Sequence, residues 1–249
     1  MTRLFSMLVC FLGLSVVALA QIAPNQQPKP ELTEVWEPEP RVVTPGGMAK
    51  PPSDAIVLFD GKNLDEWVSA TGGKPAGWKT DGNAMTVVKG TGAIRTKKEF
   101  GDIQLHIEFR PPAVVEGNGQ GRGNSGVFLQ GRYELQVLDS YNNRTYSNGQ
   151  AGSIYKQSMP LVNACLPPGE WQTYDVIYTA PRFNADGIKI TPAYITVFQN
   201  GVLVQNHTEI RGTTEYIGMP KNVAHGKGPL ELQDHGNPTS FRNVWVREL

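Results

Sequence analysis

The chain has 249 residues, and its 23 Lys and Arg balance 23 Asp and Glu, for a formal net charge of zero. Nucleic acids and anionic membranes select a clustered basic excess, so neither is expected as a partner. With 27 Gly, 19 Pro and only 18% charged residues, the composition suits many short strands joined by turns rather than long helices.

The first 20 residues have the form of a cleaved export signal. Arg3 supplies a positive start, Leu8 to Val17 is an apolar run too short to span a membrane comfortably, and Ala18-Leu19-Ala20 is a small-x-small cleavage site. The mature chain is then expected to begin at Gln21 and to lie in the periplasm or outside the cell, with no membrane contact after cleavage. Cys10 leaves with the signal, so Cys165 remains alone and no intrachain disulfide can form. Cys165 has no His nearby in sequence to activate it, and is expected to be a small buried residue rather than a nucleophile. Residues 21–53 contain Pro24, Pro28, Pro30, Pro38, Pro40, Pro45, Pro51 and Pro52 with no apolar period, which predicts a linker or surface strap.

From Asp54 to Leu249 the pattern is that of a single β domain. Ala55–Phe59, Ala84–Val88 and Ala93–Thr96 are short apolar strands, and 103–110 alternates apolar odd with polar even positions, as a half-buried strand requires. Strands 126–130 and 133–138 flank Gly131-Arg132, and 172–178 follows. Strands 193–198 and 202–205 are joined by Asn200-Gly201, a strong two-residue hairpin signal. Strands 229–233 and 241–246 close the chain. About a dozen antiparallel strands without helical periodicity or internal repeat predict an all-β sandwich.

Three segments carry candidate site residues. On 133–138, Tyr133, Leu135 and Val137 share one face while Glu134 and Gln136 share the other, a pairing suited to sugar hydroxyls; the alternative is an ordinary exposed strand face. Asp139 has the opposite parity, and reaches the same face only through a bulge or the end of the strand. The spacing Glu134-x-Gln136-x-x-Asp139 resembles the Glu-x-Asp-x-x-Glu strand of family 16 glucanases, with the middle carboxylate replaced. The second segment, Leu232 to Pro238, places His235 in a tight turn where it can act as a base, unless Asp234 and Asn237 only cap the turn and His235 bonds to backbone. Arg242, just beyond, is either a hydroxyl or oxyanion contact or a charge paired with a carboxylate. The third, Gly149 to Gln157, offers Tyr155 and Lys156 without the spacing of a phosphate loop. Asn124, Gln130, Arg132 and Gln233 flank these segments as further candidate sugar contacts. No zinc spacing is present, and the sequence names no certain cofactor. A calcium or other divalent site built from Asp and backbone carbonyls would leave little trace, so a metal stays open.

Together, Val57 to Leu64, Asn124 to Leu129, Tyr133 to Asp139, Pro168 to Tyr174 and Leu232 to Pro238 resemble the 3-keto-disaccharide hydrolase domain family, formerly domain of unknown function 1080. The resemblance covers residues 54–249. It implies a concanavalin A-like jelly-roll sandwich and cleavage of glycosides oxidised to a ketone at C3. On that expectation, Glu134, Asp139 and His235 are the catalytic candidates. The base is His235 or Glu134, the acid is Asp139, and Lys156, Arg132 or Arg242 serves the enolate. A lectin-like module without chemistry and a family 16-like endo-glucanase are the alternatives.

Overall fold

The computed structural model describes residues 29–47 and 50–249. The expected export signal and the start of the Pro-rich segment lie outside the described residues. The chain divides into two units. Of the first, residues 29–42 are described. They form one 3-10 turn, η1 (Pro30–Leu32), and leave every side chain exposed.

The second unit, residues 43–249, is an antiparallel sandwich of the expected jelly-roll class. Its larger sheet runs β13 (Val202–Ile210), β12 (Ala193–Gln199), β9 (Gln172–Thr179), β6 (Ile103–Arg110), β15 (Ser240–Glu248), β4 (Met85–Thr86), β3 (Lys79–Thr80), with β1 (Ile56–Phe59) also paired to β15. The smaller sheet runs β2 (Trp67–Ser69), β5 (Ile94–Phe100), β14 (Gly228–Leu232), β7 (Ser125–Leu129), β8 (Tyr133–Val137). β10 (Arg182–Phe183) and β11 (Lys189–Thr191) form a separate ribbon.

The alternation in β6 decides the layering. Ile103, Leu105, Ile107 and Phe109 are all buried and face Tyr174, Val176 and Tyr178 of β9 within one continuous core. Each such side chain contributes roughly 1.5–3 kcal/mol by leaving water. Two tyrosines also bridge the sheets by hydrogen bonds. Tyr174 donates to the Gln136 carbonyl at 2.7 Å, and Tyr178 donates to Gln130 Oε1 at 2.7 Å. The Asn200-Gly201 turn adopts positive φ at both residues, 51° and 77°, as a hairpin turn matching the strand twist requires.

β2, β3, β10 and β11 were not expected from the sequence; at two or three residues each, they are too short to show a period. β13 runs past Gln205 to Ile210 because a register shift opposite Ile195 and Val197 lets its polar second half stay paired. Cys165 is partly buried, and its sulfur accepts from Gln199 Nε2 at 3.1 Å. Burial pushes its thiol up, away from the thiolate a nucleophile needs.

β8 is the last strand of its sheet, yet all five of its residues are buried. Residues 150–158 lie along its free edge. Gln136 N donates to Ser153 O at 2.9 Å, Gly152 N to Gln136 O at 3.1 Å, and Tyr155 N to Glu134 O at 3.1 Å. The edge amides are thereby paired within the chain.

Candidate active site

β7 and β8 pair in unbroken register from Ser125↔Val137 to Leu129↔Tyr133. The unbroken pleat sends Glu134 and Gln136 away from the core, the same way as Phe128 and Gly126. Gly126 stands directly opposite Gln136, and a Cβ there would lie 2.7 Å from Glu134 Oε1 and 2.9 Å from the Phe128 ring. The missing side chain makes the floor on which the Glu134 carboxyl rests. Just beyond the end of β14, Gln233 joins this floor by donating its N–H to Gly126 O at 3.0 Å.

These residues line a cleft of about 630 Å³. One wall comes from Gln120, Gly121 and Asn124. A second comes from Tyr146, Tyr155 and Lys156, a third from Thr214 and Tyr216, and His235 stands at the rim. Asn124 is held by donating Nδ2 to Gln120 O at 2.6 Å and N to Asn237 Oδ1 at 2.9 Å. The turn carrying His235 is tied down by Asp234, which accepts from Gly90 N, Gly92 N and Gly236 N at 2.8–3.0 Å. Asp234 and Asn237 are therefore turn-fixing residues, as the sequence allowed. His235 itself is exposed and has no hydrogen-bond partner among the described residues. Lys156 adopts φ of 57°, and its ammonium donates to the Tyr216 carbonyl while lying 4.3 Å from the Tyr216 ring centre. Tyr146 and Tyr155 share a hydroxyl–hydroxyl bond of 2.6 Å behind it.

Glu134 is only 4% exposed and has no cationic partner among the described residues, so burial pushes its carboxyl up to about 8. It is the one carboxylate among the described residues lining the cleft. Burial also raises Tyr146 and Tyr155. Among the described residues no group of three or more His, Cys, Asp or Glu could hold a metal ion.

Seven of the eleven sequence candidates meet in the cleft: Glu134, Gln136, Asn124, Tyr155, Lys156, Gln233 and His235. Four do not. Asp139 follows β8 with no bulge to turn it, so it keeps the opposite parity. Its carboxylate is buried against Arg122 Nε at 2.6 Å and Tyr141 N at 3.1 Å. Gln130 and Gly131 both take positive φ in the β7–β8 turn, which tips the Gln130 side chain into the interior. There it meets Tyr178 and the carbonyls of Phe100 and Gly226. Arg132 lies in that same turn, and only its carbonyl supports the cleft, by accepting from Thr214 N at 2.9 Å. Arg242 is on β15 in the other sheet. It pairs with Glu108 at 2.6 Å and lies over the Trp171 ring, which is the carboxylate-paired alternative.

Sequence reasoning missed Gln120, Gly121, Phe128, Tyr146, Thr214 and Tyr216. Phe128 alternates with the core positions of β7, and its parity with Gly126 was the available signal. The other five come from loops and a short 3-10 turn, where no period marks them.

A family model described as "3-keto-alpha-glucoside-1,2-lyase-like domain" matches residues 54–247. A solved structure from Parabacteroides distasonis ATCC 8503, provisionally assigned as a glycosyl hydrolase, is similar to this chain at 56% identity and a TM-score of 0.85. The match covers 89% of this chain and 97% of that one. Two further chains from the same organism, with the same provisional assignment, share the fold at 22% and 23% identity. Their TM-scores are 0.58 and 0.54, and the matches cover 79% and 78% of this chain and 94% and 99% of theirs. No curated protein matches the chain.

Proposed function

This chain belongs to the family of 3-keto-alpha-glucoside-1,2-lyase-like domains, a carbohydrate-active family, and we propose that it cleaves glycosides bearing a ketone at C3 by elimination across C1 and C2. The observation that carries the reading is that, among the described residues, one carboxyl, Glu134, lines a cleft shared with one histidine. Ordinary glycoside hydrolysis uses two carboxyl groups flanking the bond, one as acid and the other as base or nucleophile. With Asp139 turned away, this cleft offers one, which argues against the glucanase alternative.

A ketone at C3 removes the need for the second carboxyl, because it acidifies the proton on C2. His235, whose ring has no partner among the described residues, takes that proton as base. The electron pair moves onto the C3 oxygen as an enolate, which the Lys156 ammonium stabilises. The enolate then collapses, a C1=C2 double bond forms, and the C1–O bond breaks. Glu134, protonated at neutral pH, gives its proton to the departing glycosidic oxygen. The aglycone leaves as an alcohol, the sugar as an unsaturated 3-keto product, and water adds across C1=C2 afterwards. Export by residues 1–20 would place this chemistry outside the cytoplasm.

The test is to mix purified protein with a 3-keto-glucoside and follow the released aglycone and the unsaturated intermediate. Turnover is expected with the 3-keto sugar and not with the parent glucoside. No turnover of any 3-keto sugar, with or without divalent metal, sinks the proposal; glycan binding without turnover would favour a lectin-like module. Parental activity in His235→Ala would remove His235 as the base.

Gly126→Ala is a second check. The added methyl falls 2.7 Å from Glu134 Oε1, closer than a real Cβ contact allows, and must displace the carboxyl. A displacement of that kind costs up to about 100-fold in kcat/KM. The expected outcome is a 10- to 100-fold loss in steady-state kinetics, by the same estimate, with an unchanged far-ultraviolet circular dichroism spectrum.

A further inference from the structure

We propose that Gln120 and Gln136 form an amide relay, anchored on the Gly149 carbonyl, that holds the proton on Glu134 and turns over when that proton leaves.

The anchor sets the direction of the chain. Gln120 Nε2 donates to Gly149 O at 2.8 Å and to Thr145 Oγ1 at 3.1 Å. A backbone carbonyl can only accept, so this amide cannot be reversed without setting two oxygens against each other. Gln120 Oε1 must then face Gln136, whose Nε2 donates to it at 3.0 Å. That leaves Gln136 Oε1 facing Glu134 Oε1 at 2.9 Å and, less closely, the Ser125 carbonyl at 3.2 Å, which can only accept. Two oxygens at 2.9 Å attract only with a proton between them. Among these atoms, only the Glu134 carboxyl can supply it. Every donor in the line from Glu134 through Gln136 and Gln120 to Gly149 therefore points one way.

Loss of the proton reverses one link. The Gln136 amide, turned through half a rotation, presents Nε2 to Glu134 Oε1 at 2.9 Å and to Ser125 O at 3.2 Å. It gives up its bond to Gln120, leaving their two oxygens 3.0 Å apart. Gln136 is 1% exposed and Glu134 4%, so solvent has little access to replace either contact. Each orientation leaves one oxygen–oxygen contact, Gln136 to Ser125 at 3.2 Å in the first and Gln136 to Gln120 at 3.0 Å in the second, so the protonation state of Glu134 decides between them. The desolvation of Glu134 favours the same neutral state. The other titratable groups facing Glu134 across the cleft are Tyr146, Tyr155 and Lys156 beside β8, Tyr216 in the loop after β13, and His235 in the turn after β14. None of them touches the amide pair in the hydrogen-bond network.

The consequence for catalysis rests on the reading of Glu134 as the acid of the elimination. In the free protein the relay keeps that acid charged with its proton. After donation, the turned amide stabilises the carboxylate until a proton returns. Gln136 and Gln120 are on this view positioning residues, and Gln120 acts on Glu134 without meeting it.

The test needs no substrate, so its failure is distinct from an absence of turnover. In the full chain labelled at the Glu carboxyl carbon and the Gln side-chain nitrogen, nuclear magnetic resonance follows Glu134 and Gln136 through a pH titration. The Gln136 amide signals are expected to move with the midpoint of Glu134. Gln120→Leu removes the anchor and frees Gln136 to face the carboxylate, and should lower the Glu134 midpoint by about one unit, the effect of one gained hydrogen bond to the charged form. Adding Gln136→Leu to Gln120→Leu removes the gained bond and should reverse that fall. A purely structural role for Gln120 would not move the midpoint in that direction. Gln136 signals that stay still while Glu134 titrates, or an unchanged midpoint in folded Gln120→Leu, would overturn the relay. Should Gln120→Leu not fold, the Gln136 signals of the parent decide.

Discussion

Glu134→Gln is expected to lower turnover of a 3-keto-glucoside by about 10²–10⁴-fold, the usual worth of a positioned acid or base. The substitution keeps the shape of the side chain over Gly126 and removes only the proton it can give, so kcat should fall with KM little changed. Steady-state kinetics against pH measure this. The same variant should behave oppositely in stability. Glu134 titrates at 4.5 in an ordinary setting and at about 8 in the fold. Between those values the folded chain holds a proton that the unfolded chain has released, so folding stability falls as pH rises. Its contribution is fully present below 4.5 and is lost through about 8. At about 1.36 kcal/mol per unit, the loss amounts to at most about 5 kcal/mol. Gln carries no such proton. Relative to the parent, Glu134→Gln should therefore gain stability steadily from acid to mildly alkaline pH in denaturant titrations. A constant difference across that range would show that Glu134 is not neutral in the fold.

The second large effect lies at Asp139, where the sequence pointed to an acid catalyst and the structure gives an ion pair. Asp139 is 3% exposed and meets Arg122 Nε at 2.6 Å, with Arg122 also donating to Tyr141 O at 2.9 Å. Removing one partner of a buried pair leaves the other charge uncompensated, at about 3–5 kcal/mol. Asp139→Ala should lower the unfolding free energy by that amount. Turnover per folded molecule should stay near the parent's, because the carboxylate does not line the cleft. A catalytic Asp139 would give the reverse pattern, a stable protein without turnover.

Asp139 also marks the boundary of what the sequence carries. Strand periodicity is local, so β6 was legible to the residue and the parity of Glu134 with Gln136 correctly put them on one face. What parity cannot show is whether that face meets water. Glu134 and Gln136 look like an exposed pair but are buried in the fold, with residues 150–158 paired along their strand and Gln120 against Gln136. The same limit applies to Arg242. Its nearness in sequence to His235 suggested a shared site, but the chain crosses from one sheet to the other between them. The loop residues Gln120, Tyr146 and Tyr216 reach the cleft through hydrogen bonds and ring contacts with partners distant in sequence. No spacing in the chain records these.

The segment sealing the free edge of β8 is also the one that supplies Tyr155 and Lys156 to the cleft. Edge closure and site assembly are therefore one cooperative event. The segment is held by more than its main-chain bonds: residues 151–155 are all buried, and Ile154 belongs to the hydrophobic core. Gln205 Nε2 also donates to Gly152 O at 2.9 Å. A segment packed this way opens only with the core it joins. On warming, activity should therefore disappear together with the sandwich, and amide exchange at Gly152 and Tyr155 should track the lost fold.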